Sequence, residues 1–339
     1  FTFDNGVQAA FGDVSFGGDH QFLFEDTDAG NVGAEAVFGG NVTFIDAATL
    51  TIGGGDDSGI ATFSGDIDLA GAFNLLVTGG QTVNWTGQTT FGGDFTLDTT
   101  GAGDAIVTIG GSREFQIASG VEEVNITIKT DATDDVSIRG TTFDRGTFNI
   151  ILGDVGVADT SKLTLAGGGL SGDEDLAVNF TLDEGSILTL DSIDPTDPLG
   201  PTSPNQWTFN ALDGTGELKF NGPAGDFDGE LFIRGGEFAG TFSEDATAGA
   251  LSINWTQNES RFNGTADITG TYRVRDQGLH RIGTFLGDAD PGNLRADITN
   301  IAAFEVLLGT AYLENADILT AADGGLTLTS GVTSAATLV

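Results

Sequence analysis

"VFGGNVTF" at residues 37–44 returns, varied, as "TFSGDIDL" at 62–69 and "TFGGDFTL" at 90–97. The three copies place Phe38, Phe63 and Phe91 at gaps of 25 and 28 residues. In each, a Phe is followed by a Gly-containing turn and then by a segment in which apolar and polar residues alternate. Alternation is the strand period, and Gly supplies the backbone freedom of a corner. The same signal runs outward from this stretch. Phe16 in "SFGGD" precedes Phe38 by 22 residues, and "KFNG", "EFAG" and "RFNG" place Phe220, Phe238 and Phe262 at gaps of 18 and 24. A recurrence of 18–28 residues is the length of one β-solenoid coil, with the Phe residues stacked inside.

Elsewhere the chain repeats this texture in "NVTFID", "DIDLAG", "DFTLD", "AIVTIGG", "VNITIKT", "SKLTLAG", "SILTLDS", "GELKF" and "GLTLTS". The expected class is therefore all-β, an elongated, parallel β-helix-like solenoid of short stacked strands. A β-sandwich or jelly roll alternates in the same way and also turns on Gly, and is the alternative. Only "TNIAAFEVLLG" at 299–309 fits a helical period as well as a strand period.

Composition narrows the function classes. Against 50 Asp and Glu stand 12 Lys and Arg, a formal net charge of −38. Such a surface repels nucleic acid and anionic lipid and attracts cations. With no Cys there is no disulfide, thiolate metal site or iron–sulfur cluster. Two His exclude a multi-histidine centre. The 53 Gly follow no three-residue period, which excludes collagen. The longest apolar run, 301–313, is broken by Glu305 and Gly309, so no membrane span is expected. The chain begins at Phe1 without an initiator Met, as does a chain numbered from a cleaved leader, a trimmed chain or a partial one.

One seam is visible. "DSIDPTDPLGPTSPNQ" at 191–206 holds four of the six prolines and cannot be an interior strand. It divides a Gly-rich repeat region, 1–190, from a second β region, 207–339, that carries most of the Arg.

Three kinds of candidate site follow. Aspartates crowd into "FEDTDAGN" (24–31), "GGGDDSG" (53–59), "DATDD" (131–135), "GDFDGE" (225–230) and "GDADPGN" (287–293). Carboxylates two residues apart on a Gly turn can converge on a hard cation. Asp26, Asp28, Asp56, Asp57, Asp226, Asp228, Asp288 and Asp290 are thus candidate Ca²⁺ ligands; each cluster also reads as ordinary solvated turn acids. Second, five of the nine Arg lie between 261 and 295, and "TYRVRDQGLHR" adds Tyr272 and His280 to Arg273 and Arg275. Together these four are the candidate catalytic group of a polysaccharide lyase; the bland reading is ion pairing or docking. Third, seven Asn-x-Ser/Thr sequons occur, at Asn41, Asn84, Asn125, Asn179, Asn254, Asn258 and Asn263. They read as glycan acceptors or as the by-product of strand alternation, which puts Val42, Trp85, Ile126, Phe180 and Trp255 inward. No nucleophile elbow, P-loop or zincin motif is present.

The Gly/Thr/Asp-rich repeats "TGAGDAIVTIGG", "ALDGTGELKFNG" and "FIRGGEFAGTF" resemble those of autotransporter passengers and filamentous-haemagglutinin-type adhesins. The acidic, sulfur-free composition is similar to that of surface-layer proteins. The resemblance implies a secreted or cell-surface solenoid that assembles or adheres. The expected function is structural: a non-enzymatic subunit pairing with copies of itself through its strand-like ends, "FTFDNGVQAAFGDVSF" and "GLTLTSGVTSAATLV", in a filament, sheath or surface layer. An adhesin for surface glycans, a solenoid lyase and a viral fibre are the alternatives.

Overall fold

The computed structural model describes the chain apart from residues 5–6, 26–33, 55–58, 101–102, 111–113, 140–141, 154–160, 167–175, 192–204, 222–227, 246–248, 257–258, 276–278, 284–295, 308–309, 315, 330–336 and 339. The chain is an all-β solenoid. Among the described residues there is no helix, and short strands stack in long parallel ladders. Two compact units are built, one on Phe1–Ala166 and one on Val178–Val339.

In the first unit each coil makes three sides. The opening coil supplies Thr2–Asp4, Gln8–Phe11 and Val14–Phe16; the next supplies His20–Glu25, Glu35–Phe38 and Val42–Phe44. Strands pair with their counterparts one coil on, and the third-side ladder ends at Thr142–Phe143. Along the second side the inward residues are Phe11, Phe38, Phe63, Trp85, Ile109 and Ile138, one per rung. Strand neighbours lie about 4.8 Å apart, so rings on one row must stack. Phe11 meets Phe38 at 4.6 Å and Phe38 meets Phe63 at 4.8 Å, the latter pair only 5° from parallel. Each such pair contributes about 1 kcal/mol beyond the burial of the rings.

The opening repeat thus has a structural meaning, with one correction. Phe38 and Phe63 share a row on the second side, but the row continues through Trp85 rather than Phe91. Phe91 lies on the third side, in the row of Phe16, Phe44 and Leu69. "FGGN" at 38–41 turns the second corner of its coil, whereas "FGGD" at 16–19 and 91–94 turns the third. Phe at either corner blurs the apparent period. In the second unit, likewise, Phe238 and Phe262 are rung partners, while Phe220 pairs with Glu244 on another side.

Corners pack backbone on backbone. A Cβ on Gly65 would stand 2.1 Å from the Gly40 carbonyl oxygen, and one on Gly264 1.8 Å from that of Gly240. Only glycine permits so close an approach.

The second unit is also three-sided. One side carries Ala211–Gly214, Gly236–Phe238, Glu259–Phe262, Leu279–Gly283 and Thr310–Glu314; another carries Gln206–Phe209, Gly229–Ile233, Leu251–Thr256 and Thr271–Arg275. The ambiguous segment is the strand Ala296–Leu307, parallel to Ala316–Thr329. It turns a corner at Asn300, whose φ is 60°, so Ile301 and Phe304 are both buried although three residues apart. That break in alternation is what imitated a helical period.

Candidate functional site

The alternation of one strand separates the four candidate catalytic side chains. In Thr271–Arg275 the Tyr272 and Val274 side chains are buried, and Arg273 and Arg275 face outward. In Leu279–Gly283, His280 is buried and Arg281 faces outward. Tyr272 and His280 meet inside the core, where the Tyr272 hydroxyl and His280 Nε2 are 2.8 Å apart. On the other side of the ring, His280 Nδ1 lies 2.8 Å from Ser260 Oγ. Trp255 stacks on the imidazole at 4.4 Å, and Phe304 stacks on Tyr272 at 5.8 Å.

Burial pushes the His280 imidazole down to about 3 and raises the Tyr272 phenol well above its ordinary value. The imidazole is therefore neutral: one ring nitrogen donates, the other accepts, and a hydroxyl sits on each. Ser260, Tyr272 and His280 together form a polar brace across three strands. With Tyr272 and His280 at zero exposure, no polymer substrate reaches them.

The outward arginines are engaged separately. The Arg273 Nε donates to Glu305 Oε2 at 2.6 Å, and Glu230 lies 3.7 Å from the same guanidinium. Arg275 stands over the Phe232 ring at 5.9 Å. Arg261 and Arg281 lie on a different side, one rung apart, and Arg295 is outside the described residues. The basic island of the sequence is thus split between two sides.

Of the aspartates singled out, Asp228 accepts the Ala250 amide at 2.9 Å. Asp26, Asp28, Asp56, Asp57, Asp226, Asp288 and Asp290 lie outside the described residues. Among the described residues, no group of three or more His, Cys, Asp or Glu is placed to hold a metal. In "DATDD", the buried Asp134 carboxylate accepts from the Thr99 hydroxyl (2.6 Å), the Asp131 amide (2.8 Å) and the Ala105 amide (3.0 Å). Its lone pairs serve the fold.

The sequons follow alternation. Val42, Trp85, Ile126, Phe180 and Trp255 are all buried. Asn254 is itself buried and donates to the Leu231 carbonyl, which closes that position to a glycan.

Two surface features escaped the sequence reading. The first is an apolar recess of about 330 Å³ at the opening coil, lined by Phe1, Phe11, Val14, Phe16 and Phe38 among others. Phe1 is 61 % exposed there, and the buried His20 Nε2 has no hydrogen-bond partner among the described residues. The second is a groove of about 330 Å³ lined by Gly236, Glu237, Glu259, Ser260, Arg261 and Arg281. Glu237, Arg261, Arg281 and Tyr312 occupy one outward row on successive rungs. Their spacings, 24, 20 and 31 residues, are coil lengths, so a search at the coil period would have found them. No family model, curated protein or solved structure matches the chain.

Proposed function

We propose that this chain is a secreted structural solenoid that associates with further copies of itself, coil upon coil, in a filament, sheath or surface layer. The observation that supports this reading is the parallel ladder itself, in which each coil adds its strands to the edge of the last; in the coil Thr2–Phe16 the strands pair with those of the following coil. The Val14 amide donates to Asn41, and the Phe16 carbonyl accepts from Ile45. Strand geometry then turns the Ser15 N–H and C=O the other way. By the same rule, with the Phe11 carbonyl accepting from Gly39, Ala10 turns outward too.

A strand edge recruits strands, and here the edge that Ala10 and Ser15 face frames a Phe-lined recess. A strand from a second copy laid along Ala10 and Ser15 continues the backbone ladder, buries Phe1 and offers His20 Nε2 a partner. Contact between unlike surfaces grows into a filament where its rotation does not close into a ring. The texture shared with autotransporter and haemagglutinin-type repeats agrees with an extracellular setting. At a charge of −38 the copies repel one another, so association strengthens with salt and with Ca²⁺ held at the Asp turns.

Electron microscopy and sedimentation of the purified protein, with millimolar Ca²⁺ and with chelator, test this. Ordered assemblies are expected. The Ala10→Pro and Ser15→Pro substitutions remove only outward donors, and they should disperse the assemblies while the far-UV spectrum stays that of a β protein. Removal of Thr327–Val339, which includes strand residues of Ala316–Thr329 and Thr337–Leu338, should do the same. Assemblies that persist in these variants would refute edge-to-edge association.

A further inference from the structure

We propose that the second side of the first unit is a face through which two copies of this chain pair side by side. The inference rests on the reading that copies associate, and adds a lateral contact to the coil-on-coil one.

Charge singles out this side. On a chain of net charge −38, outward carboxylates keep copies apart. The first-side strands of this unit carry Asp4, Glu25, Asp98 and Glu123 against Lys129, and the third-side strands carry Asp68 and Glu114 against no base. On the second side Glu35 and Asp135 are balanced by Arg139 and Lys162. Its three middle strands, Ile60–Phe63, Thr82–Trp85 and Ile106–Gly110, hold no charged residue. At the corners beside them Asp66 and Asp104 are exposed. An uncharged centre inside a polar rim is the anatomy of a protein–protein contact.

The residues on this face suit burial. Ile106 is 45 % exposed, one of the few large apolar side chains left in solvent. Ile60, Thr82 and Ile106 form one outward file on successive rungs, and Val37, Thr62, Asn84 and Thr108 form the next. Polar groups here already have partners within the chain. The Ser64 and Thr86 hydroxyls donate to the Phe38 and Phe63 carbonyls at 3.4 and 3.3 Å, and Asn84 Nδ2 donates to Thr62 Oγ1 at 3.4 Å. Covering groups that are already bonded avoids most of the penalty of burying open ones.

Size fixes the class of contact. The seven second-side strands, from Gln8–Phe11 to Lys162–Ala166, span about 29 Å of ladder, and five residues span about 17 Å of strand. Face-to-face pairing thus covers roughly 500 Å² on each copy, at the low end of specific interfaces. A face that meets its own equivalent about a two-fold axis needs no second kind of surface. Such a contact is weak in a single pair and gains from repetition in an assembly.

Cross-linking and sedimentation of the full chain test this. The chain has no Cys, so Thr108→Cys and Thr96→Cys each carry one thiol. Thr108 faces outward on the second side and Thr96 on the first. A flexible thiol-to-thiol cross-linker should give a covalent pair with Thr108→Cys and little with Thr96→Cys. In sedimentation equilibrium, self-association should strengthen as salt screens the net charge. Thr108→Glu sets like charges against each other in the pair and should weaken it about tenfold or more, while Thr96→Glu changes it little. Both positions are outward, so unfolding midpoints should hold and a lost pair reports on association. The proposal is overturned by equal cross-linking of Thr108→Cys and Thr96→Cys, by equal effects of Thr108→Glu and Thr96→Glu, or by a chain that stays monomeric at about 1 mM in high salt. Assemblies that form in Thr108→Glu as in wild type, without cross-linking of Thr108→Cys, overturn this contact alone; cross-linked pairs without assemblies overturn the coil-on-coil reading alone.

Discussion

Lowering the pH should strain the second unit at one residue, His280. Its folded value is about 3 against an ordinary 6.5. The unfolded chain therefore takes up this proton first as pH falls. The contribution of neutral His280 is complete above about pH 6.5 and drains away as pH drops from there towards 3. The gap corresponds to about 5 kcal/mol once both states are protonated, and about 3 kcal/mol of it is lost by pH 4.5. The chain also carries 50 Asp and Glu, so the wild-type curve alone does not isolate one imidazole. The comparison is with His280→Gln, whose amide can both donate and accept between Ser260 and Tyr272 but does not titrate. The wild-type stability advantage over this variant should shrink by about 3 kcal/mol between pH 7 and 4.5. At urea slopes of about 1–3 kcal/mol/M, the two midpoints should approach each other by about 1–3 M. A direct check is available because the chain has only two His. In imidazole NMR spectra the His280 signals should stay those of the neutral ring down to pH 4.5. A stability difference that is flat with pH, or a His280 ring that titrates near 6.5, would refute the assignment of a buried, neutral brace.

Two further outcomes probe the corners. Gly65→Ala puts a methyl group 2.1 Å from the Gly40 carbonyl oxygen and forces two coils apart, so urea unfolding of the first unit should show a loss of about 1–3 kcal/mol. Asp134→Ala leaves the Thr99 hydroxyl and the Asp131 and Ala105 amides without their acceptor and should cost about 3 kcal/mol or more by the same assay. Asp68→Ala, at an exposed outward position of Ile67–Leu69, should stay within about 0.5 kcal/mol of wild type.

Much of the fold was legible because a solenoid repeats its physics every coil. Alternation at "NVTFID" or "VNITIKT" marks strands whatever their partners, and Phe followed by Gly marks corners. What a sequence of this kind does not carry is which corner a given Phe-Gly turns. Phe38 and Phe91 have almost the same neighbours, yet they sit on different sides: Phe38 ends the second strand of its coil and Phe91 the third of its own. The reading that gathered Tyr272, Arg273, Arg275 and His280 on one face ignored a rule the sequence did carry. In "TYRVR" and "LHRIG" the strand period puts Tyr and His on one surface and Arg on the other, and the structure obeys it.

The acidic turns show a deeper limit. An Asp on a Gly turn reads the same whether it waits for a cation or accepts a backbone amide from the next coil. Asp13 accepts from Asn41, Asp19 from Thr49, Asp94 from Asn125, Asp213 from Glu237 and Asp228 from Ala250, each at 2.7–3.0 Å. Those partners are 22–31 residues away, one coil on, so no local pattern reveals them. A corner interrupts the strand ladder and leaves amides there without strand partners. A carboxylate one coil away is a short, strong acceptor for such an amide. Part of the acidity of this chain is thereby accounted for by its architecture: carboxylates at corners stitch coil to coil, and the charge that makes the surface repel its own copies comes with the stitching.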